Sequence, residues 1–187
     1  MNGARIKTSL IAALLALGLT QAGAAFAAER ITGTVVDPGA TTGRSTTVPF
    51  SIYIYDYSTD QEVERLAGIL SQKGSEALRQ ELWDLEKGWI RIGNSLGYPV
   101  AVARSQPSEN GGRHIVLFAD RPIQFFEVWN SLRSQDYPFS YFEMNLGKDG
   151  TGTGQMYGAA KIRMATGVLS VESFGATPAK LLGVRVR

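Results

Sequence analysis

The side chains best suited to acid–base or nucleophilic chemistry are few in this sequence. His114 is the only histidine, and the chain contains no cysteine. His114 lies in the segment RHIVLF and alternates with Val116 and Phe118, as a strand residue does. A catalytic histidine needs a partner that orients it, and the sequence gives no position for one. We therefore interpret His114 as a structural residue, and the alternative is a general base.

The other chemically active patterns also favour structural roles. The candidate carboxylates are dispersed along the chain, whereas glycoside hydrolysis needs two of them to converge: Asp56, Asp120, Glu127, Asp136, Glu143 and Glu172. The glycine-rich segment 150–154 resembles a phosphate loop, but strand alternation follows it instead of a helix. We predict no catalytic residue, no metal site and no cofactor. An enzyme is the less favoured class, and it would have to use carboxylates or His114.

Aromatic residues offer a clearer signal. The segment 121–146, RPIQFFEVWNSLRSQDYPFSYFEMNL, is densely aromatic, which marks either the centre of a core or the wall of a pocket. In the strand-like segment 49–57, Phe50, Ile52 and Ile54 point one way and three tyrosines point the other. Arg121 and Asp120 either frame a polar mouth over an aromatic pocket or form a surface ion pair. The candidate ligand-binding residues are Tyr53, Tyr55, Tyr57, Arg121, Phe125, Phe126, Trp129 and Tyr141.

Two helical segments and a series of short strands must position these residues. Thr59-x-x-Glu62 fits a capping box, and Gly74 suits a helix end, so we predict a helical hairpin over about residues 59–87. Its apolar stripe includes Leu66, Leu70, Leu78 and Leu82, which we expect to face the sheet. Turn signals at Asn110-Gly111 and at 148–150 separate strands that alternate. The fold class is therefore α+β, with about nine or ten antiparallel strands in a curved sheet or barrel and the helical hairpin packed on it.

The first 27 residues predict export. Arg5 and Lys7 precede the apolar run Leu10–Leu19, and Ala25-Phe26-Ala27 fits a signal-peptidase site. The alternative is an uncleaved N-terminal anchor. Cleavage leaves residues 28–187 as a single domain with no transmembrane segment, in the periplasm or outside the cell. The signal removes two of the 19 basic residues and none of the 17 acidic ones, which leaves 17 of each. No basic run is present, so we do not expect nucleic acid as a partner.

Two stretches, GYPVAVARSQPSENGGRHIVLFADRPIQFFE and RSQDYPFSYFEMNLGKDGTGTGQM, resemble a family of exported bacterial proteins to which no activity is assigned. The pieces that carry the resemblance are residues 120–123, 133–134, 136–139 and 148–150. The resemblance covers most of the chain after the signal, from the helical hairpin to the last strand. It implies export, and it supplies no site residues.

Together these observations favour an exported, non-catalytic binding protein with an aromatic-lined cavity for a small apolar or lipid-like ligand. The alternative is an envelope-associated interaction or structural component that presents an exposed aromatic patch to a protein partner. The lining of the largest cavity separates the two.

Overall fold

The computed structural model describes residues 28–37, 45–123, 137–165, 168–173 and 177–187. The predicted signal peptide therefore lies outside the described residues, as do Phe125, Phe126 and Trp129. One helix, α1, spans Asp60–Leu82. The strands are β1 Glu29–Asp37, β2 Thr46–Ile54, β3 Gly88–Ile92, β4 Tyr98–Val100, β5 Val102–Pro107, β6 Arg113–Ala119, β7 Phe139–Leu146, β8 Thr151–Ala165, β9 Val168–Ser173 and β10 Ala179–Val186.

The strands form one antiparallel sheet that curls into a nearly closed barrel. Their order is β4-β3-β2-β1-β10-β8-β7-β6-β5, and β9 pairs with β8 off this path. The first and last strands in this order, β4 and β5, are joined by the single residue Ala101, whose N–H donates to the carbonyl of Phe118 at 2.8 Å. One bent stretch of chain therefore pairs with β3 on one side and β6 on the other, which leaves little exposed edge. The predicted α+β class and antiparallel sheet are confirmed.

Strand alternation builds the core inside the barrel. Phe50, Ile52 and Ile54 are buried, as their spacing predicts, and the ladder places Ile31 opposite Ile52 and Ile90 opposite Ile52 on its other side. Inward residues of the remaining strands join the same cluster: Val35, Ile92, Val100, Ile115, Leu117, Phe142, Met144, Met156, Leu181 and Val184. The barrel interior is thus a packed core.

A polar contact crosses the barrel at one end. Glu29 begins β1 and Arg113 begins β6, which lie on opposite sides of the ring, and the two terminal guanidinium nitrogens of Arg113 donate to the Glu29 carboxylate. The Tyr57 hydroxyl donates to the same carboxylate at 2.5 Å. Burial alone would raise the pKa of Glu29, but the hydrogen bonds from Arg113 and Tyr57 outweigh it, so this pKa lies below its ordinary value. Glu29 is therefore ionised and paired at neutral pH.

Helix α1 is divided into two arms at Gly74. The predicted capping box is present, because the Glu62 N–H donates to Oγ1 of Thr59 and the Thr59 N–H donates to the Glu62 carboxylate. Gly74 has φ +83° and ψ −176°, a conformation that breaks the helix. Arg65 and Glu81 form an ion pair at 2.6 Å, although 16 residues of straight helix would separate their backbones by about 24 Å. The arms must therefore fold back on each other.

The second arm ends earlier than predicted, at Leu82 instead of near Lys87. Residues after Trp83 turn away from the helix, so that the Lys87 N–H donates to the Val100 carbonyl and its ammonium pairs with Asp56 and Glu62. Strand β2 also ends earlier than predicted, at Ile54, because the chain turns there toward the helix cap. No helix among the described residues is long and apolar enough to cross a membrane.

Candidate functional site

The site that stands out is an apolar pocket between the two arms of α1 and the outside of the barrel. Its volume is about 170 Å³. All of its lining residues have apolar side chains: Val63, Leu66, Ala67, Leu70, Leu78, Leu82, Val102, Phe118, Ile162 and Leu169. A ligand in this pocket would meet hydrocarbon on every described wall.

The helical side of the pocket follows from the spacing of the leucines. Val63, Leu66, Ala67 and Leu70 recur at the i, i+3, i+4, i+7 positions of the first arm, and Leu78 and Leu82 at i, i+4 of the second. The break at Gly74 turns the two stripes toward each other. Leu66, Leu70, Leu78 and Leu82 are all buried against strand residues, so the prediction that they face the sheet is confirmed.

The strand side of the pocket uses residues that point away from the barrel core. Val102 and Phe118 lie opposite each other on β5 and β6, and both alternate with inward residues. Ile162 lies on the part of β8 that pairs with β9, beyond the barrel path. Beneath the helix, the Tyr141 ring packs against Phe118 at 5.0 Å between ring centroids and against Tyr157 at 5.4 Å. Aromatic residues therefore support the floor of the pocket from one side.

Polar contacts fix the arms around the pocket. Ser75, at the start of the second arm, donates its hydroxyl hydrogen to the Ile162 carbonyl at 3.1 Å. Arg65 and Glu81 join the arms on their exposed side. Lys87 ties the base of the first arm to the strands through Glu62 at 3.0 Å and Asp56 at 3.1 Å. The pocket walls are thus held at three separate points.

The described candidate residues do not gather in one cavity. Tyr53 lies on the outer face of β2, and Tyr55 follows that strand and is exposed. Tyr141 lies on the outer face of β7, on the opposite side of the ring from β2, so it shares no pocket with Tyr53. The prediction that Tyr57 points outward with the other two tyrosines is wrong, because β2 ends before it; Tyr57 is buried in the barrel core, where its hydroxyl donates to Glu29. Of these residues, Tyr141 is the one that belongs to the apolar layer beneath the helix.

Arg121 and Asp120 form the pair that their sequence positions suggest. The Arg121 guanidinium donates to both carboxylate oxygens of Asp120, at 3.0 and 3.1 Å. Asp120 is buried, and Arg121 also lies 5.2 Å from the centre of the Trp83 ring. The pair joins the end of α1 to the chain after β6, but neither residue lines the apolar pocket.

His114 has a carboxylate partner that the sequence did not reveal. Its Nε2 lies 3.0 Å from Oε1 of Glu143 on the neighbouring strand, and the Tyr141 hydroxyl donates to the other Glu143 oxygen at 3.4 Å. Burial and the neighbouring Glu143 carboxylate raise the pKa of Tyr141. The two residues that face His114 across the ladders are Gln106 and Asn145, neither of which is a nucleophile. This arrangement suits a cross-strand structural contact.

A serine-hydrolase-like motif occurs in the turn between β3 and β4. Gly93-Asn94-Ser95-Leu96-Gly97 matches the G-x-S-x-G pattern of serine hydrolases, in which the serine sits between a strand and a helix. Here the segment is the turn between the antiparallel strands β3 and β4. Oγ of Ser95 accepts a hydrogen bond from the Ile92 N–H at 3.1 Å, as in a local turn contact. The local fold therefore lacks the strand-to-helix elbow.

The remaining carboxylates are held apart by different partners. Asp56 pairs with Lys87, Glu143 contacts His114, and Glu172 accepts a hydrogen bond from Tyr137. Glu127 and Asp136 lie outside the described residues. Within the part of the chain that the structure describes, no three His, Asp or Glu side chains are grouped so as to hold a metal ion.

Comparison with known proteins adds no relative. No family model, curated protein or solved structure matches this chain.

Proposed function

We propose that this protein is an exported, non-catalytic binding protein, and that it holds a small apolar or lipid-like molecule in the pocket under the helical arms. The observation that supports this proposal is a pocket whose lining side chains are all apolar. A polar ligand would lose its hydrogen bonds to water there without replacing them, which costs about 2–7 kcal/mol per group. Hydrocarbon loses nothing comparable and gains contact area.

The pocket volume limits the size of the ligand. About 170 Å³ is close to the roughly 150 Å³ of an engineered apolar cavity that binds benzene, and below the roughly 300–1,000 Å³ of sites for drug-sized molecules. The ligand class is therefore a single aromatic ring or a short segment of an acyl chain. A longer lipid would place only part of its chain in the pocket.

The alternative function, an interaction surface of exposed aromatics, has less support among the described residues. Their large exposed apolar side chains are Tyr55, Trp83, Leu96, Leu169 and Leu182. These residues lie on different strands, turns and the helix end, and Leu169 already lines the pocket. Scattered apolar residues of this kind are normal on protein surfaces.

Titration with toluene and with hexanoate tests the proposal, followed by NMR of protein labelled at leucine and valine methyl groups. We expect saturable shifts at Leu70, Leu78 and Val102, and no comparable shifts at barrel-interior Leu117. Ala67→Phe fills the pocket and should abolish the shifts. Leu169→Lys places a charge at the pocket rim and should weaken binding with less effect on packing, because Leu169 is already exposed.

Leu96→Phe is the matched control. It adds an aromatic ring at a residue that is almost fully exposed, in the turn after β3, and it should leave binding unchanged. Melting temperatures establish that each variant is folded. Absence of saturable shifts for both probes in the wild type would count against the proposal, and so would binding that survives in Ala67→Phe.

A further inference from the structure

The barrel face away from the helix collects arginines that have no carboxylate partner. In the described residues, ion pairs within 4 Å involve Arg65, Arg79, Arg104, Arg113, Arg121 and Arg163. The other arginines of these residues, Arg30, Arg91, Arg185 and Arg187, make no such pair. All four belong to β1, β3 or β10 or directly follow β10. We call the outward surface of β3, β2, β1 and β10 the arginine face.

The strand register arranges this face in two rows. In the first row Arg185 lies opposite Thr32, Thr32 opposite Ser51, and Ser51 opposite Arg91. Neighbouring strands are about 4.8 Å apart, so the backbones of Arg185 and Arg91 are roughly 14 Å apart. Their long side chains can reach toward each other across the outer surface of the two strands between them.

The second row runs beside the first, about 7 Å away along the strands. Arg30 lies opposite Tyr53, and Tyr53 lies opposite Trp89. On the other side of Arg30, the N–H of Arg187 donates to the Arg30 carbonyl at 2.8 Å. The two rows therefore present guanidinium groups together with hydroxyl and aromatic groups.

The charge of this face is not balanced within the sheet. The outward positions of these four strands contain no Asp or Glu. Glu29 and Asp37 of β1 alternate with the outward residues and lie on the same side of the strand as the buried Ile31 and Val35. Like charges directly opposite each other on adjacent strands destabilise a sheet, and Arg30 and Arg187 are neighbours of this kind. An anion would relieve that repulsion. A set of uncompensated arginines that costs stability is typical of a surface that binds an anion.

The face also contains a concave site. A second pocket of about 170 Å³ lies on this face, and its lining residues are Arg30, Pro49, Phe50, Ser51, Tyr53, Arg91 and Gly93. The Arg30 guanidinium lies 5.3 Å from the centre of the Tyr53 ring, which helps to hold that side chain in place. Two arginines and a serine from three neighbouring strands thus line one depression.

We propose that this depression binds a phosphate group. Guanidinium forks match the oxygens of phosphate and can donate two hydrogen bonds each, and the Ser51 hydroxyl supplies a further donor. A phosphate monoester carries about −1.5 to −2 charge at neutral pH, which balances the two arginines, whereas one carboxylate balances a single arginine. A phosphodiester headgroup carries one negative charge, so two neighbouring headgroups would give the same balance. The phosphate group could belong to a soluble phosphate ester or to a lipid headgroup.

The experiment uses inorganic phosphate and, separately, phosphatidylglycerol vesicles with phosphatidylcholine vesicles for comparison. NMR shifts of the Ser51, Tyr53 and Arg91 amides report phosphate binding, and sedimentation reports vesicle binding. Loss of a charged hydrogen-bond partner weakens binding by about 10-fold or more, so Arg91→Gln and Arg30→Gln should each reduce affinity by that factor. Arg163→Gln is the matched control, because it removes the same charge from an exposed site on β8.

Each outcome decides the proposal. Saturable binding of inorganic phosphate that is lost in Arg91→Gln but kept in Arg163→Gln supports a soluble phosphate-bearing ligand. Binding to phosphatidylglycerol vesicles alone, with the same dependence on Arg91, identifies a headgroup as the source. If neither probe binds, the proposal is wrong. If Arg163→Gln weakens binding as much as Arg91→Gln, the proposal is also wrong, and the binding depends only on net charge.

Discussion

The barrel interior and the layer beneath α1 are both built from buried apolar side chains, yet one is filled and the other contains a pocket. Hydrogen-bonded strands surround the interior and fix the distance between its walls, and its described side chains form a continuous cluster. The helical arms are instead held to the strands by side-chain contacts and a few polar ties. A gap can therefore remain between the helical arms and the sheet where their side chains do not touch, and a ligand can occupy it.

The largest effect should come from emptying the interior. Phe142 is fully buried in the barrel core. Phe142→Ala removes a ring that a rigid strand wall cannot replace, so we expect a loss of about 3–5 kcal/mol in the free energy of unfolding. Urea denaturation measures it. A loss below about 1 kcal/mol would show that the interior relaxes as readily as the helix layer, and the contrast between the two regions would fail.

Leu70→Ala should cost less, because one side of Leu70 already faces the pocket. We expect a value toward the lower end of the range of about 2–5 kcal/mol for a buried leucine. Leu182→Ala is the control, since Leu182 is 42% exposed on the outside of β10 and should change stability by no more than about 0.5 kcal/mol. If Leu70→Ala behaved like this control, the first arm would not be packed on the barrel.

A smaller change in stability should distinguish alanine substitutions at two glycines of α1. Gly74 has φ +83°, and a side chain there is strained even though an added Cβ meets nothing within 4 Å, so Gly74→Ala should cost about 1–3 kcal/mol. Gly68 also has free space but has no such φ, so Gly68→Ala should stabilise the protein by about 0.4–1 kcal/mol. Thermal unfolding of both variants measures the difference. Equal effects would mean that the arms do not depend on the break at Gly74.

The elements of this fold could be predicted from the sequence because their signals are local. The capping box at Thr59, the break at Gly74 and the alternation of 113–119 each depend on residues that are close in the chain. The order of the strands could not be predicted in this way. That the two ends of the sheet meet at Ala101 depends on the curvature of all the strands together, and no short segment contains that information.

The two candidate sites escaped sequence reasoning for different reasons. The density of aromatics drew attention to residues 121–146, whereas the pocket is lined mostly by aliphatic residues. Its signal was present in the paired leucine stripes on either side of Gly74, which also fit ordinary core packing. The arginine face contains no basic run, because Arg30, Arg91 and Arg185 come from distant strands and only the register brings them into neighbouring rows.

The pairing of β1 with β10 also determines how the chain can fold. Ile31 lies opposite Val186, 186 − 31 = 155 residues further along the chain. Closing a loop of that length costs about 4–5 kcal/mol of chain entropy, which must be overcome before the strand contacts stabilise the pair. The hairpins β5–β6, β6–β7 and β7–β8 close much shorter loops, and we expect them to form first. The β1–β10 seam should then join late, in a folding reaction of milliseconds to seconds, and until it does both strands present unpaired edges to other chains.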